Sequence, residues 1–537
     1  MSALFAGAEQ APAFADAAQC RAWLDTIPLS DAAQAQAALL KQVGLLNRAG
    51  IGSSDRLDIL ELLRHPIHGA QEECGLKFTG KPLPLTEPQR AAFEASRALW
   101  HGLATGYMRC AEACFAGDAA MTAKAALLFQ RALAALVCEQ FETHRAGQNP
   151  PSEHWRVLHQ LYAAAEQLQV AEQQVDDATR LGTTPGSPAA AYVEALLLAA
   201  ANLHEYGQRQ ISWIARWARR WATKVRILAA APTLTSHAIP LCVDLAADRP
   251  AGYMPLATPG ARWLETTELR RSLKKRLVLL ERGEPPAKLN LGADCTQPAC
   301  EHLLKLVYQR WCRGAAVRGC ERRPASGSCR LIVGAEAIHY YLSGSKPFRP
   351  AAATDAALLR RQQEELATFG HISTRRDEDF SEQHGFAVEQ WQLEENWHMV
   401  DASAAGLRIA RRLEQDGCRV GHGQLIAASP ADAQSFLLGS VRWALVGDAL
   451  QLGLNLFPGC PEPVAVRGTG IAGEKFRQAF LLPAVAALHH ERSIVVAVGS
   501  FKLGRVVEVL AGSLRLLRLT RLIERGADFE RAAYEPA

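Results

Sequence analysis

Asp401-Ala402-Ser403-Ala404-Ala405-Gly406 stands between two apolar, strand-like runs, and its reading decides the fold of the C-terminal half of the chain. An acid, a hydroxyl and a glycine at spacings of two and three form a short polar turn. Such a turn presents a carboxylate, a hydroxyl and bare backbone to one ligand. Turns also carry Asp, Ser and Gly for local reasons, with Asp401 and Ser403 satisfying nearby amides. The flanking sequence therefore has to carry the argument.

Around the turn, residues 386–393, 398–400, 407–410, 423–428, 436–446 and 450–457 alternate as short strands at sandwich or barrel spacing. A polar, arginine-bearing segment comes first, then a strand, then the turn. In motif and in order the stretch resembles the Asp/Asn-x-Ser-x-x-Gly signature of PilZ domains, bacterial β-barrels that bind the second messenger cyclic di-GMP. The likeness covers roughly residues 371–460.

The resemblance implies a ligand site. In the family, an Arg-x-x-x-Arg segment upstream of the barrel clamps guanine edges and phosphates, a task that suits the planar guanidinium fork. The simplest register here is His371-x-x-x-Arg375, followed directly by Arg376. By the same resemblance, Asp401 accepts from guanine N–H groups and Ser403 adds a hydroxyl hydrogen bond. Gly406 permits a positive φ or a close ligand approach. Histidine at the first clamp position and the acidic run Asp377-Glu378-Asp379 favour a rival reading, a PilZ-fold scaffold that docks proteins without binding nucleotide.

Length and composition set the frame. A chain of 537 residues exceeds one ordinary core, and 49% hydrophobic with 21% charged residues suits a folded globular protein. A formal net charge of +4 gives no domain-wide basic excess, which argues against a nucleic-acid polymer as partner. No apolar run reaches the roughly 18 residues of a membrane span. Thirteen cysteines without a recognisable secretory signal read as reduced thiols in the cytoplasm.

The expected architecture is a multidomain α+β chain. Residues 1–228 carry helical patterning, with Thr86 and Gln89 as a capping box and Ser187-Pro188 as a helix start. Trp155, Leu158, Tyr162, Ala171 and Ala178 approach tetratricopeptide spacing, but no second copy follows near a period of about 34. A bundle and a repeat-like solenoid both remain open. Residues 229–345 read as a small α+β domain, 346–370 as a linker and helix, 371–460 as the PilZ-like barrel, and 461–537 as a second β unit.

Other constellations carry less. Gly468-Thr469-Gly470-Ile471-Ala472-Gly473 matches a dinucleotide fingerprint but lacks the βαβ context, so it reads as a loop between strands. Cys295, Cys300, His302, Cys312, Cys320 and Cys329 include no Cys-x-x-Cys pair and read as core thiols, with no metal. Trp213, Trp217 and Trp221 form a stripe beside Arg216, Arg220 and Lys224, read as packing tryptophans with solvated cations. No nucleophile elbow, zinc helix or Walker loop is present, and the chain reads as a non-enzyme without a cofactor. The combined expectation is a cyclic di-GMP receptor that couples the nucleotide to a protein partner through its helical region. If His371 fills a clamp position, His371→Arg tightens cyclic di-GMP binding by roughly tenfold in calorimetric titration.

Overall fold

The computed structural model describes residues 11–177, 179, 186–232, 240–253, 256–314, 321–348, 394–469, 475–488 and 490–537. The chain forms two compact units, one of residues 1–81 and 85–317, the other of residues 82–84 and 318–537.

The first unit opens with helices α1 (Ala17–Leu24), α2 (Ala32–Arg48), α3 (Ser53–Cys74), α4 (Glu87–Phe115), α5 (Ala119–Ala123), α6 (Ala125–Arg145), α7 (Ser152–Gln167), α8 (Pro188–Ala200) and α9 (Gln208–Trp221). Their starts follow local chemistry. Asp31 caps α2 by accepting from the Ala33 and Gln34 amides, and Ser187 accepts from Ala190 N at 3.1 Å. At α4 the Thr86 amide donates to Gln89 Oε1 at 3.1 Å, completing the capping box. A short sheet follows, β1 (Arg226–Leu228), β2 (Cys242–Asp244) and β3 (Ala261–Glu265) in the order β1-β3-β2, then α10 (Thr267–Glu281) and α11 (Ala299–Cys312).

Residues 229–312 share their core with the helices. Leu264, Leu273, Leu304 and Trp311 lie in one buried cluster with Leu196, Trp217 and Trp221. The tryptophan stripe explains this union. Trp213 donates to Asp294 Oδ2 at 2.8 Å and Trp217 to Leu291 O at 2.9 Å, while Trp221 meets Trp311 edge-on at 6.3 Å. Arg216 stays half exposed and pairs with Asp294 at 2.6 Å. Cys295 and Cys300 are buried here with their sulfurs 2.7 Å apart. Among the described residues, no cluster of three or more His, Cys, Asp or Glu side chains is arranged to hold a metal.

The second unit holds two barrels. The first draws on β4 (Arg323–Pro324), β5 (Ser328–Val333), β6 (Glu395–Ser403), β7 (Gly406–Arg412), β8 (Leu425–Pro430), β9 (Leu437–Val446) and β10 (Ala449–Leu456), with α12 (Ala335–Leu342) after β5. Strand order is β4-β6-β5-β8-β9-β10-β7, and pairing of β6 with β7 closes the ring. The strands therefore begin at Arg323, upstream of residue 371, because β4 and β5 reach β6 across a long stretch of chain. Apolar alternation is the warrant: Leu407 and Ile409 on β7, and Leu450, Leu452 and Leu454 on β10, are all buried. The second barrel is closed by β11 (Glu462–Gly468), β12 (Arg477–Leu482), β13 (Ser493–Ala497), β14 (Val506–Ala511), β15 (Ser513–Arg525) and β16 (Phe529–Pro536) in the order β11-β12-β13-β16-β15-β14. Gly468 ends β11, so the start of the glycine-rich stretch sits on an antiparallel barrel strand. No helix among the described residues is long and apolar enough to cross a membrane.

The tryptophan stripe yields a contrast. Trp217→Ala should lower the stability of the helical unit by about 3–5 kcal/mol in urea denaturation, the usual cost of truncating a buried large aromatic. Arg216→Ala should change it by less than about 1 kcal/mol, because both partners of that ion pair are half exposed.

Candidate functional site

The Asp401–Gly406 stretch is a tight hairpin between β6 and β7, with Ser403 opposite Gly406 and only Ala404 and Ala405 between them. Asp401 and Ser403 thus stand on the end of a strand rather than on the turn itself. Ser403 Oγ donates to Gly406 O at 3.2 Å, which fixes its hydroxyl on the hairpin. Gly406 is demanded by a close approach: a Cβ there would stand 2.2 Å from Leu454 O of β10. The close partner is a neighbouring strand, so the glycine lets the barrel shut beneath the turn.

Asp401 is engaged by a residue that the sequence reading passed over. Arg322 Nη1 donates to Asp401 Oδ1 at 2.7 Å, and Arg408 Nη1 lies 3.9 Å from Oδ2. Strand pairing causes this meeting. Arg323 faces Ala402 and Pro324 faces Asp401, so the residue before β4 arrives beside the carboxylate.

A cavity of about 500 Å³ opens here, lined among others by Arg322, Ser403, Gly406, Arg442, Trp443 and Arg525. That volume lies within the usual range for small-molecule sites. Its aromatic wall is placed by Gly453, where a Cβ would fall 2.0 Å from Trp443 Nε1. The indole thus lies flat on β10, with the Arg408 guanidinium 6.0 Å from its ring and bonded to Gln451 at 2.7 Å. Between β9 and β10 the ladder slips by one residue, Gly453 facing Trp443 and Leu454 facing Val441. Arg442 is the unpaired residue of that bulge, which helps to turn it toward the cavity. The site therefore joins cations, a hydroxyl and an aromatic face, a set suited to an anionic ligand with a planar ring.

A second cavity, in the helical unit, is lined by Arg64, His68, Arg131 and Asp177 and measures only about 20 Å³. It has room for about one water. Burial there opposes ionisation of Asp177, but Arg64, Thr179 and Arg131 outweigh it and hold the carboxyl well below the usual carboxylate range. This is a pinned loop rather than a ligand site.

His371, Arg375 and Arg376 lie outside the described residues. Arg322, Arg442 and Trp443 join the candidate set instead, and one sequence signal could have found the first. Arg318-Gly319-Cys320-Glu321-Arg322 has an arginine at both ends of an Arg-x-x-x-Arg spacing, directly before a strand. Arg318 also lies outside the described residues. Gly406→Ala should destabilise the second unit by about 1–3 kcal/mol through overpacking against Leu454 O. Ser403→Ala should cost no more than about 1.5 kcal/mol, the worth of one hydrogen bond, with thermal melting as the measure.

Three family models match the chain in succession. The N-terminal domain model of the cyclic-di-GMP receptor FimW matches residues 18–232, its middle PilZ domain model matches 241–396, and the FimW C-terminal beta-barrel domain model matches 464–537. The middle match includes Arg322 and ends at Asn396, inside β6 and before Asp401. The cyclic-di-GMP receptor FimW of Pseudomonas aeruginosa is 24% identical, over 96% of this chain and 90% of its own length. The succession of matches leads to one conclusion: the chain is similar to the FimW receptor domain by domain, and its residues 241–396 match the PilZ family.

Proposed function

We propose that this chain is a receptor for cyclic di-GMP, which binds in the cavity between the Asp401 hairpin and Trp443. The observation that carries the proposal is Arg322, which lines that cavity with Ser403 and is held by its ion pair with Asp401. Cyclic di-GMP bears two phosphates and two guanines, so it needs cationic forks, a carboxylate acceptor and a stacking surface. Arg322 and Arg442 supply forks, Asp401 accepts from guanine N–H groups, and Trp443 offers the stacking face. The name of the FimW relative, a cyclic-di-GMP receptor, points the same way. Within this reading the clamp is Arg318-x-x-x-Arg322, since Arg322 already stands at the motif. His371, Arg375 and Arg376 are the rival clamp.

The receptor is non-catalytic in this reading. It acts in the cytoplasm and passes the signal to a protein partner that docks on the helical unit. Nucleotide changes that docking only if it binds one arrangement of the chain better than another.

Isothermal calorimetry of the purified chain with cyclic di-GMP tests the site. Arg322→Ala and Asp401→Ala should each weaken binding by roughly ten- to a hundredfold, the worth of one charge-assisted contact. Cys460→Ser, an exposed change not among the cavity residues, should leave it unchanged. A loss on Arg375→Ala with none on Arg322→Ala would move the clamp to the rival segment. Wild-type protein that binds nothing at high micromolar nucleotide would leave the scaffold reading in its place.

A further inference from the structure

The cavity wall is not the work of one barrel. Glu524, Arg525 and Gly526, from the end of β15 and the turn into β16, line it together with Ser403 and Trp443. These residues belong to the C-terminal barrel in sequence and topology, yet they are fastened to the PilZ barrel at three points. Ser440 Oγ donates to Glu524 Oε1 at 2.8 Å, Ala527 N to Gly423 O at 2.7 Å, and Leu425 N to Asp528 Oδ1 at 2.8 Å. Beneath the turn the two barrels share a core, in which Phe529 meets Phe457 at 5.7 Å beside Leu425 and Leu438. A turn held by three hydrogen bonds and a common core keeps its place relative to the Asp401 hairpin.

Arg525 is the chemically telling member. Its Nη2 lies 2.8 Å from Glu530 Oε1, while its side chain remains 59% exposed and Glu530 is 1% exposed. The other oxygen of Glu530 accepts from Phe501 N at 2.8 Å, so the carboxylate is itself fixed. A guanidinium has five N–H donors, and one contact to a fixed carboxylate orients the fork without using them up. An anchored, solvent-facing fork on a cavity wall has little freedom left to lose on meeting an anion.

From this we infer that the C-terminal barrel completes the nucleotide site, with Arg525 contacting a phosphate of the cyclic dinucleotide that lies against Ser403 and Gly406. The inference rests on the cyclic di-GMP reading above and extends it from one barrel to two. Nucleotide then bridges the barrels, and occupancy stabilises their junction.

The test is titration of the full chain with cyclic di-GMP at several salt concentrations, with a melting curve for each variant without nucleotide. Arg525→Gln should weaken binding by about tenfold and flatten its salt dependence, as expected for one lost charge-assisted contact. Arg525→Gln combined with Glu530→Gln leaves no buried carboxylate unpaired, and it should show the same loss if the single variant folds poorly. Arg322→Ala serves as the reference. If Arg322→Ala loses affinity while both Arg525 variants stay within about twofold of wild type, the two-barrel site is overturned and the receptor reading survives. Absence of any wild-type binding overturns both.

Discussion

Strand β6 is the constraint on which the second unit depends, because it serves three partners at once. Its first half pairs with β5, its last residues pair with β4, and its other edge pairs with β7. Those pairings close the ring, and closure removes an edge that would otherwise expose unpaired amides. They also bring Arg322 beside Asp401 and set Ser403 across from Gly406. The site is therefore a by-product of closure. Glu395, at the start of β6, reinforces it by taking the buried Arg411 of β7 and the Cys418 amide. A buried pair of this kind costs several kcal/mol to break from one side, so it pins the hairpin from beneath.

The Arg322–Asp401 pair differs in kind from Glu395–Arg411. Its side chains are 30% and 20% exposed, so solvent screens it and its share of stability is small. Its importance lies in placement, since it holds the Arg322 fork on the wall of the cavity. Backbone packing does the remaining positioning. Gly406 and Gly453 are the points where a strand carbonyl and an indole come too close for any side chain. Through them the hairpin is shut against β10 and Trp443 is laid flat.

In the first unit the organising interactions are apolar at the Trp213–Trp221 stripe and polar at Asp177. Arg131 binds Glu61 and approaches Asp177, while Tyr107 donates to Glu61 at 2.6 Å. Such a network is stable only when fully partnered, which gives it a structural rather than a chemical role. The same packing joins β1–β3, α10 and α11 to the helices in one hydrophobic core.

The local periodicities of this chain were enough to determine most of its element types. Capping at Thr86 and Ser187, the alternation in β7 to β10, and the polar hairpin at Asp401 all follow from short-range rules visible in the residues. The PilZ resemblance was legible for the same reason, since an Asp-x-Ser-x-x-Gly hairpin is a local object. Five of the described strands escaped, namely β1, β3, β4, β12 and β16. In β12 the apolar end of the strand runs directly into Pro483, and in β16 the residues from Phe529 show no clean alternation. Tertiary structure alone decided which distant segments meet. A two-residue β4 has no period to detect, and Arg322 is near Asp401 only because strand pairing spans the long connection after α12. Nor does any local pattern place Arg525 on the same cavity, which depends on a core shared by two barrels. Sequence specifies what each short segment can become, whereas the meeting of such segments is set by the burial and hydrogen bonding of the whole chain.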